Sequence, residues 1–174
     1  EAVALLAAHG HQVLVETQAG DHAQFSDNDY SEAGARIVYD KSQVFQASIV
    51  LKVEPPSLEE VALMGMRQTL ISALQLSVQN EGLLEALSAK KTTAIAWDFV
   101  QNENGIQPLV RAMGEIAGNT AILIAGELMA SEQGMGNMLG GVSGVRPSEV
   151  VILGAGTVGE FAARSALGLG ATVK

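Results

Sequence analysis

The stretch "VVILGAGTVGEFAARSALGLGATVK", Val150 to Lys174, constrains the fold more than any other part of the chain. Four apolar residues, Val150 to Leu153, predict a strand. Gly154-Ala155-Gly156-Thr157-Val158-Gly159 follows as a glycine turn, Glu160 to Leu169 predicts a helix with Phe161, Ala162, Ser165 and Ala166 inward, and Ala171 opens another strand. In that context each glycine has a task. Gly154 permits the tight turn, Gly156 lets a pyrophosphate approach the backbone, and Gly159 allows the helix to pack closely on the strand. The free N–H groups and the positive end of the helix dipole then receive the phosphate. All six turn residues are therefore candidate dinucleotide-binding residues. The acidic residue that would hold the adenosine ribose is expected roughly 20 residues after the turn opens. Lys174 precedes that position, so the turn implies a dinucleotide without choosing between NAD and NADP.

The rest of the chain repeats the same alternation. Ala2, Leu5, Leu6 and His9 follow helical spacing up to Gly10, and Gln12 to Glu16 reads as a strand. Ser48 to Val53, Thr69 to Leu74 and Thr92 to Trp97 are further strand candidates; Asp27 to Ala33, Leu58 to Met64 and Glu81 to Ala89 are helix candidates, the last with Leu83, Leu84 and Leu87 on one face. Strands alternating with helices predict an α/β fold with a parallel, doubly wound sheet. A long helix, Val110 to Ser131, leads into the glycine-dense "GMGNMLGGVSGVRP", which marks a domain boundary near residue 132. The chain opens inside a helix without a methionine and stops as a strand begins, and so reads as an internal piece of a longer protein.

Composition narrows the function classes. A net charge of −9, from 19 acidic and 10 basic residues without a basic cluster, lacks the footprint for holding a nucleic-acid backbone. Cysteine is absent, which removes disulfides and thiolate metal sites. No run of about 18 apolar residues and no signal-like start occurs, so the expected compartment is the cytoplasm, with no membrane contact.

"FSDNDYSEAGARIV", "LKVEPP", "GEIAGNTAILIAGELM" and "MLGGVSGVRPSEVVILGAGTVGEFAARSALGLGATV" together resemble the alanine dehydrogenase and nicotinamide nucleotide transhydrogenase family over essentially the whole chain. "LGGVSGV" is the most specific piece. The resemblance implies two Rossmann-like parallel-sheet domains, a substrate domain over residues 1–131 with a linker helix at its end and an NAD(H) domain beginning at 132 and incomplete here. It implies NAD as cofactor, a small-molecule substrate in the cleft between domains, and a homo-oligomer, typically a hexamer. A transhydrogenase-like protein would in addition need a membrane partner.

Carried over residue by residue, the resemblance frays at the chemistry. Where the family typically has Lys-Val-Lys-Glu-Pro, with the second lysine on the substrate carboxylate, this chain has Lys52-Val53-Glu54-Pro55-Pro56. Lys52 stays in the substrate pocket, but an anion, Glu54, takes the place of the anchoring cation. The catalytic histidine of a Leu-His-Leu segment corresponds to Gln75 in Leu74-Gln75-Leu76. Glutamine has no proton to exchange near neutral pH. The serine beside the cofactor corresponds to Gly114. Ordinary alanine dehydrogenation is thereby put in doubt, whereas hydride exchange between two nicotinamide rings needs neither side chain. The segments "NENGIQPLVRAMGEIAG" and "LGGVSGV" resemble the dehydrogenase branch, and the favoured expectation is a divergent NAD(H)-dependent oxidoreductase of that branch. Its alternatives are a transhydrogenase NAD(H) subunit and a non-catalytic NAD(H)-binding relative.

The remaining features have structural expectations. Trp97 and Asp98, at a strand end, read as packing. His9, His11 and His22 are scattered without acidic partners, so no metal site is expected. Asp27, Asp29, Glu59 and Glu60 sit at helix starts, where acids favour the dipole. Met113, Met129, Met135 and Met138 read as filling core and linker gaps.

Overall fold

The expected alternation is realised as parallel strands joined by helical crossovers. The computed structural model describes residues 1–79, 81–132 and 134–174, and the chain divides into two units, Glu1–Asp98 and Phe99–Lys174.

The first unit opens with α1 (Ala2–Ala8), which ends at Gly10 in the left-handed region, with the His9 ring nitrogen on the Leu5 carbonyl. Leu5 and Leu6 are exposed rather than inward. β1 (Leu14–Glu16) pairs in parallel with β2 (Arg36–Val38), Val15 opposite Ile37. Between them lies α2 (Asp27–Glu32), whose cap Ser26 and Asp29 form a reciprocal capping box. β2 and the short α3 (Lys41–Phe45) were not expected: three residues of strand and five of helix are too brief to show a period. α3 is fixed instead by its Asp40 cap and by burial of Phe45.

β3 (Ile49–Leu51), β4 (Thr69–Ser72) and β5 (Thr93–Ala96) form a parallel sheet in that order, linked by α4 (Leu58–Leu63) and α5 (Glu81–Ala89). Phe45, Val50, Val61, Met64, Leu70, Leu74, Leu83 and Leu87 make one core. Leu83 and Leu87, four apart on α5, take the buried face, and Leu84 is exposed, contrary to expectation, because the next residue along a helix turns about 100° away. The strands are shorter than the apolar runs that announced them.

In the second unit, α6 (Pro108–Ala130) starts with proline at its first position, where no N–H is needed. β6 (Glu149–Val150), α7 (Thr157–Gly168) and β7 (Thr172–Val173) form the expected βαβ unit, parallel, with Val150 opposite Val173. Two boundaries move. β6 ends at Val150, although the Ile152 N–H still reaches the Lys174 carbonyl at 2.9 Å, and α7 begins inside the glycine turn at Thr157 rather than at Glu160. Ile122, Leu139, Ala162, Ala166 and Ala171 form the second core, with Met129 against it. Met113, Met135 and Met138 are exposed, not gap-filling. The "LGG" piece has a backbone reason: the Gly141 N–H donates to the Leu169 carbonyl, and a Cβ on Gly140 would collide with that same oxygen.

Candidate functional site

Within the first unit an open cleft of about 520 Å³ lies beyond the carboxyl ends of β3 and β4 and is lined by Lys52, Glu54, Ser57, Glu60, Gln75 and Gln79, among others. Strand ends of parallel sheets are where ligands bind in α/β folds, because the loops there are free to carry polar groups. The cleft brings together Lys52, Glu54 and Gln75, the positions singled out in the sequence.

Glu60, read from sequence as a helix-start acid, proves to be part of the same cleft. Ser57 caps α4 and Glu60 answers it in a capping box; the Glu60 carboxylate accepts from the Ser57 N–H and from the Lys52 ammonium, both at 2.8 Å. Lys41 lies 3.8 Å from its other oxygen. Burial, the largest single influence on this carboxyl, raises its pKa; the Lys52 and Ser57 hydrogen bonds and the charges of Lys52 and Lys41 together outweigh it, holding the pKa below its ordinary value. From the sequence Glu60 reads only as a helix-start acid, and nothing there marks Lys52 as its partner. Glu54 is exposed and makes no ion pair among the described residues. The cation of this cleft is thus already paired, and the anion is not.

Asp98 was also read as packing. Its two carboxylate oxygens accept from the Leu74 and Gln75 N–H groups at 3.1 and 3.0 Å. No sequence signal links residues 23 and 24 apart.

In the second unit, the three glycines of the turn have distinct surroundings. Gly154 has φ +121, which L side chains rarely adopt. A Cβ on Gly156 would meet nothing within 4 Å. A Cβ on Gly159 would collide with the Gly154 carbonyl oxygen and meet Ile152 Cγ2 at 3.4 Å. Gly156 is the N-cap of α7 and provides no side-chain cap, so the first-turn N–H groups, which have no partner inside a helix, receive none from a side chain at that position. The geometry fits an anion such as a pyrophosphate.

Gly114 lies against the same turn: a Cβ there would be 3.3 Å from Thr157 Cγ2 and 3.5 Å from Val158 Cγ2. One turn along α6, Gly118 is pressed on the α7 backbone, where a Cβ would collide with the Val158 carbonyl oxygen and lie 2.9 Å from the Ala162 nitrogen. The Ser165 hydroxyl donates to Asn119 Oδ1 at 2.5 Å across the same interface. Sequence reasoning missed Gly118, although the spacing Gly114-x-x-x-Gly118 was available.

Residues 1–117 match the family described as Alanine dehydrogenase/PNT, N-terminal domain, and residues 120–174 match Alanine dehydrogenase/PNT, C-terminal domain. The chain belongs to this family. Among its relatives, an alanine dehydrogenase of Mycolicibacterium smegmatis is 43% identical over 98% of this chain and 46% of its own length. An alanine dehydrogenase of Halomonas elongata is 41% identical over 97% of this chain and 46% of its own. A solved L-alanine dehydrogenase superposes with a TM-score of 0.89 at 41% identity, over 97% of this chain and 47% of that one. A transhydrogenase from Sinorhizobium meliloti superposes with a TM-score of 0.80 at 25% identity, over 98% of this chain and 49% of that one. The chain therefore spans about half the length of the alanine dehydrogenase/PNT relatives it matches. Among the described residues, no helix is long and apolar enough to cross a membrane, and no group of three His, Asp or Glu side chains could hold a metal ion.

Proposed function

We propose that the full-length protein is an NAD(H)-dependent oxidoreductase of the amino-acid dehydrogenase type, related to enzymes that interconvert L-alanine with pyruvate and ammonia, but with an altered substrate pocket. The observation that carries this reading is the open N-cap at Gly156 in a strand, glycine-turn, helix context. Gly154, Ala155, Gly156, Thr157, Val158 and Gly159 hold the cofactor pyrophosphate, and Gly114 borders it. The substrate domain is taken as residues 1–131 and the nucleotide domain as beginning at 132. By the resemblance, the parent is a cytoplasmic homo-oligomer.

Bound NAD(H) supplies the hydride acceptor or donor. The cleft residues divide the remaining work. Lys52, tied to Glu60 by one of its three donors, keeps two for a substrate carboxylate. Gln75 offers a carboxamide that donates to a carbonyl oxygen without giving up its proton. Glu54 repels a second carboxylate. Two unit charges about 4 Å apart interact by roughly 4 kcal/mol at an effective dielectric near 20, before solvent screening reduces it at this exposed side chain. Hydride exchange between nicotinamides is the second reading, favoured by the absence of a titrating group at Gln75.

Gly156→Val in the full-length protein tests the cofactor assignment. A Cβ at residue 156 meets open space, so the fold survives, with an N-cap penalty of about 1 kcal/mol. NADH binding, followed by fluorescence titration, is expected to be lost; unchanged affinity would overturn the assignment. Alanine-dependent NADH production, measured against hydride exchange between nicotinamide analogues, separates the two activities; NADH binding with neither activity selects a non-catalytic relative.

A further inference from the structure

We infer that Asp98 is the positioning residue of the cleft, fixing the backbone of Gln75 so that its carboxamide faces the substrate; this rests on reading the cleft as the substrate site. β4 and β5 pair through Ser72 and Ala96. Two residues further along each chain the ladder has stopped, because Trp97–Phe99 curls into a 3₁₀ turn. The Asp98 side chain takes over there from the strand backbone. Its oxygens accept from the N–H groups of Leu74 and Gln75, at 3.1 and 3.0 Å, just beyond the end of β4.

Leu74 is buried in the core, so its N–H would otherwise be stranded away from water. Gln75, the neighbouring residue, has φ +48, a left-handed conformation that a side chain with a Cβ adopts only when its surroundings hold it there. Two charge-assisted hydrogen bonds donated to one carboxylate provide that hold. Gln75 lines the cleft together with Lys52 and Glu54. The Trp97 indole N–H, 3.4 Å from the Lys52 carbonyl, ties the same turn to the end of β3. Asp98 itself is not among the cleft-lining residues, so it acts through Gln75 and not on substrate.

The test uses the full-length protein with Asp98→Asn, which keeps the shape but loses the charge and one acceptor, and Asp98→Glu, which keeps the charge. Peptide-resolved hydrogen exchange reads the Leu74 and Gln75 amides directly. Asp98→Asn is expected to speed their exchange by roughly tenfold or more, with Asp98→Glu intermediate. Pyruvate binding in the presence of NADH, by calorimetry, reads the consequence. Asp98→Asn should weaken pyruvate several-fold in the Gln75 protein, have little effect in a Gln75→Ala background, and leave NADH binding unchanged in both. Unchanged amide exchange overturns the clamp. An equal loss of pyruvate affinity in both backgrounds overturns its action through Gln75. Wild-type protein that binds NADH but no pyruvate overturns the proposed substrate reading instead, while the exchange measurement still decides Asp98.

Discussion

Gly118 on α6 and Val158 on α7 are in backbone contact, close enough that a single Cβ on the glycine would strike the Val158 carbonyl oxygen. Val158 belongs to the glycine turn, so this contact sets the distance between α6 and the N-terminal turn of α7. A Cβ on Gly114, one turn earlier, would fit tightly, 3.3 Å from Thr157 Cγ2, but against side-chain carbons and not against backbone.

Gly118→Ala is accordingly expected to destabilise the protein by about 1–3 kcal/mol through overpacking against rigid backbone. Gly114→Ala, with its nearest neighbours being side-chain carbons, should be tolerated with far less loss. Urea unfolding of both variants checks the contrast; equal midpoints would contradict the close approach.

The Lys52–Glu60 pair makes stability depend on acid. The folded-state pKa of Glu60 is depressed, so the ionised carboxylate stabilises the fold above its ordinary value, and this contribution disappears as the pH falls through the depressed folded value. Glu60→Gln should narrow the gap in unfolding free energy to wild type as the pH drops. Parallel unfolding titrations across the acid range measure it, and a gap that stayed constant with pH would exclude the linkage.

Ser72 is fully buried at the C-terminal end of β4, and its hydroxyl has no hydrogen-bond partner among the described residues. A buried unsatisfied group costs about 1–3 kcal/mol, offset in part by the small void left when the oxygen is removed. Ser72→Ala is expected to leave stability unchanged or raise it by about 1 kcal/mol. A clear loss on thermal unfolding would mean that the hydroxyl has a partner.

Glu54→Lys with Gln75→His restores to the cleft a second cation and a titrating side chain. Alanine oxidation by the full-length double variant, under saturating NAD, is expected to exceed wild type by about 10²- to 10⁴-fold, the usual range for a general acid–base. Wild-type turnover at an ordinary enzymatic rate would contradict the roles given to these two positions.

The residue order settles what is local in this protein. Apolar runs broken by glycine and polar residues fix an alternation of strands and helices. Ser57 caps the helix that begins at the next residue and Glu60 answers it three residues on, and Gly154, Gly156 and Gly159 make a turn whose demands fall within a few residues of one another. Those features survive in the structure because a period of two or 3.6 and a cap depend only on near neighbours. The short β2 and α3 were illegible because neither is long enough to display a period. Asp98 on the Leu74 and Gln75 amides, Lys52 on Glu60 and Gly118 on Val158 depend instead on which strand lies beside which and how closely two helices approach. No local pattern encodes such pairings. They arise when burial of the two apolar cores brings distant residues together, and the polar groups left at the strand ends must then find partners among whatever the packing has placed within reach.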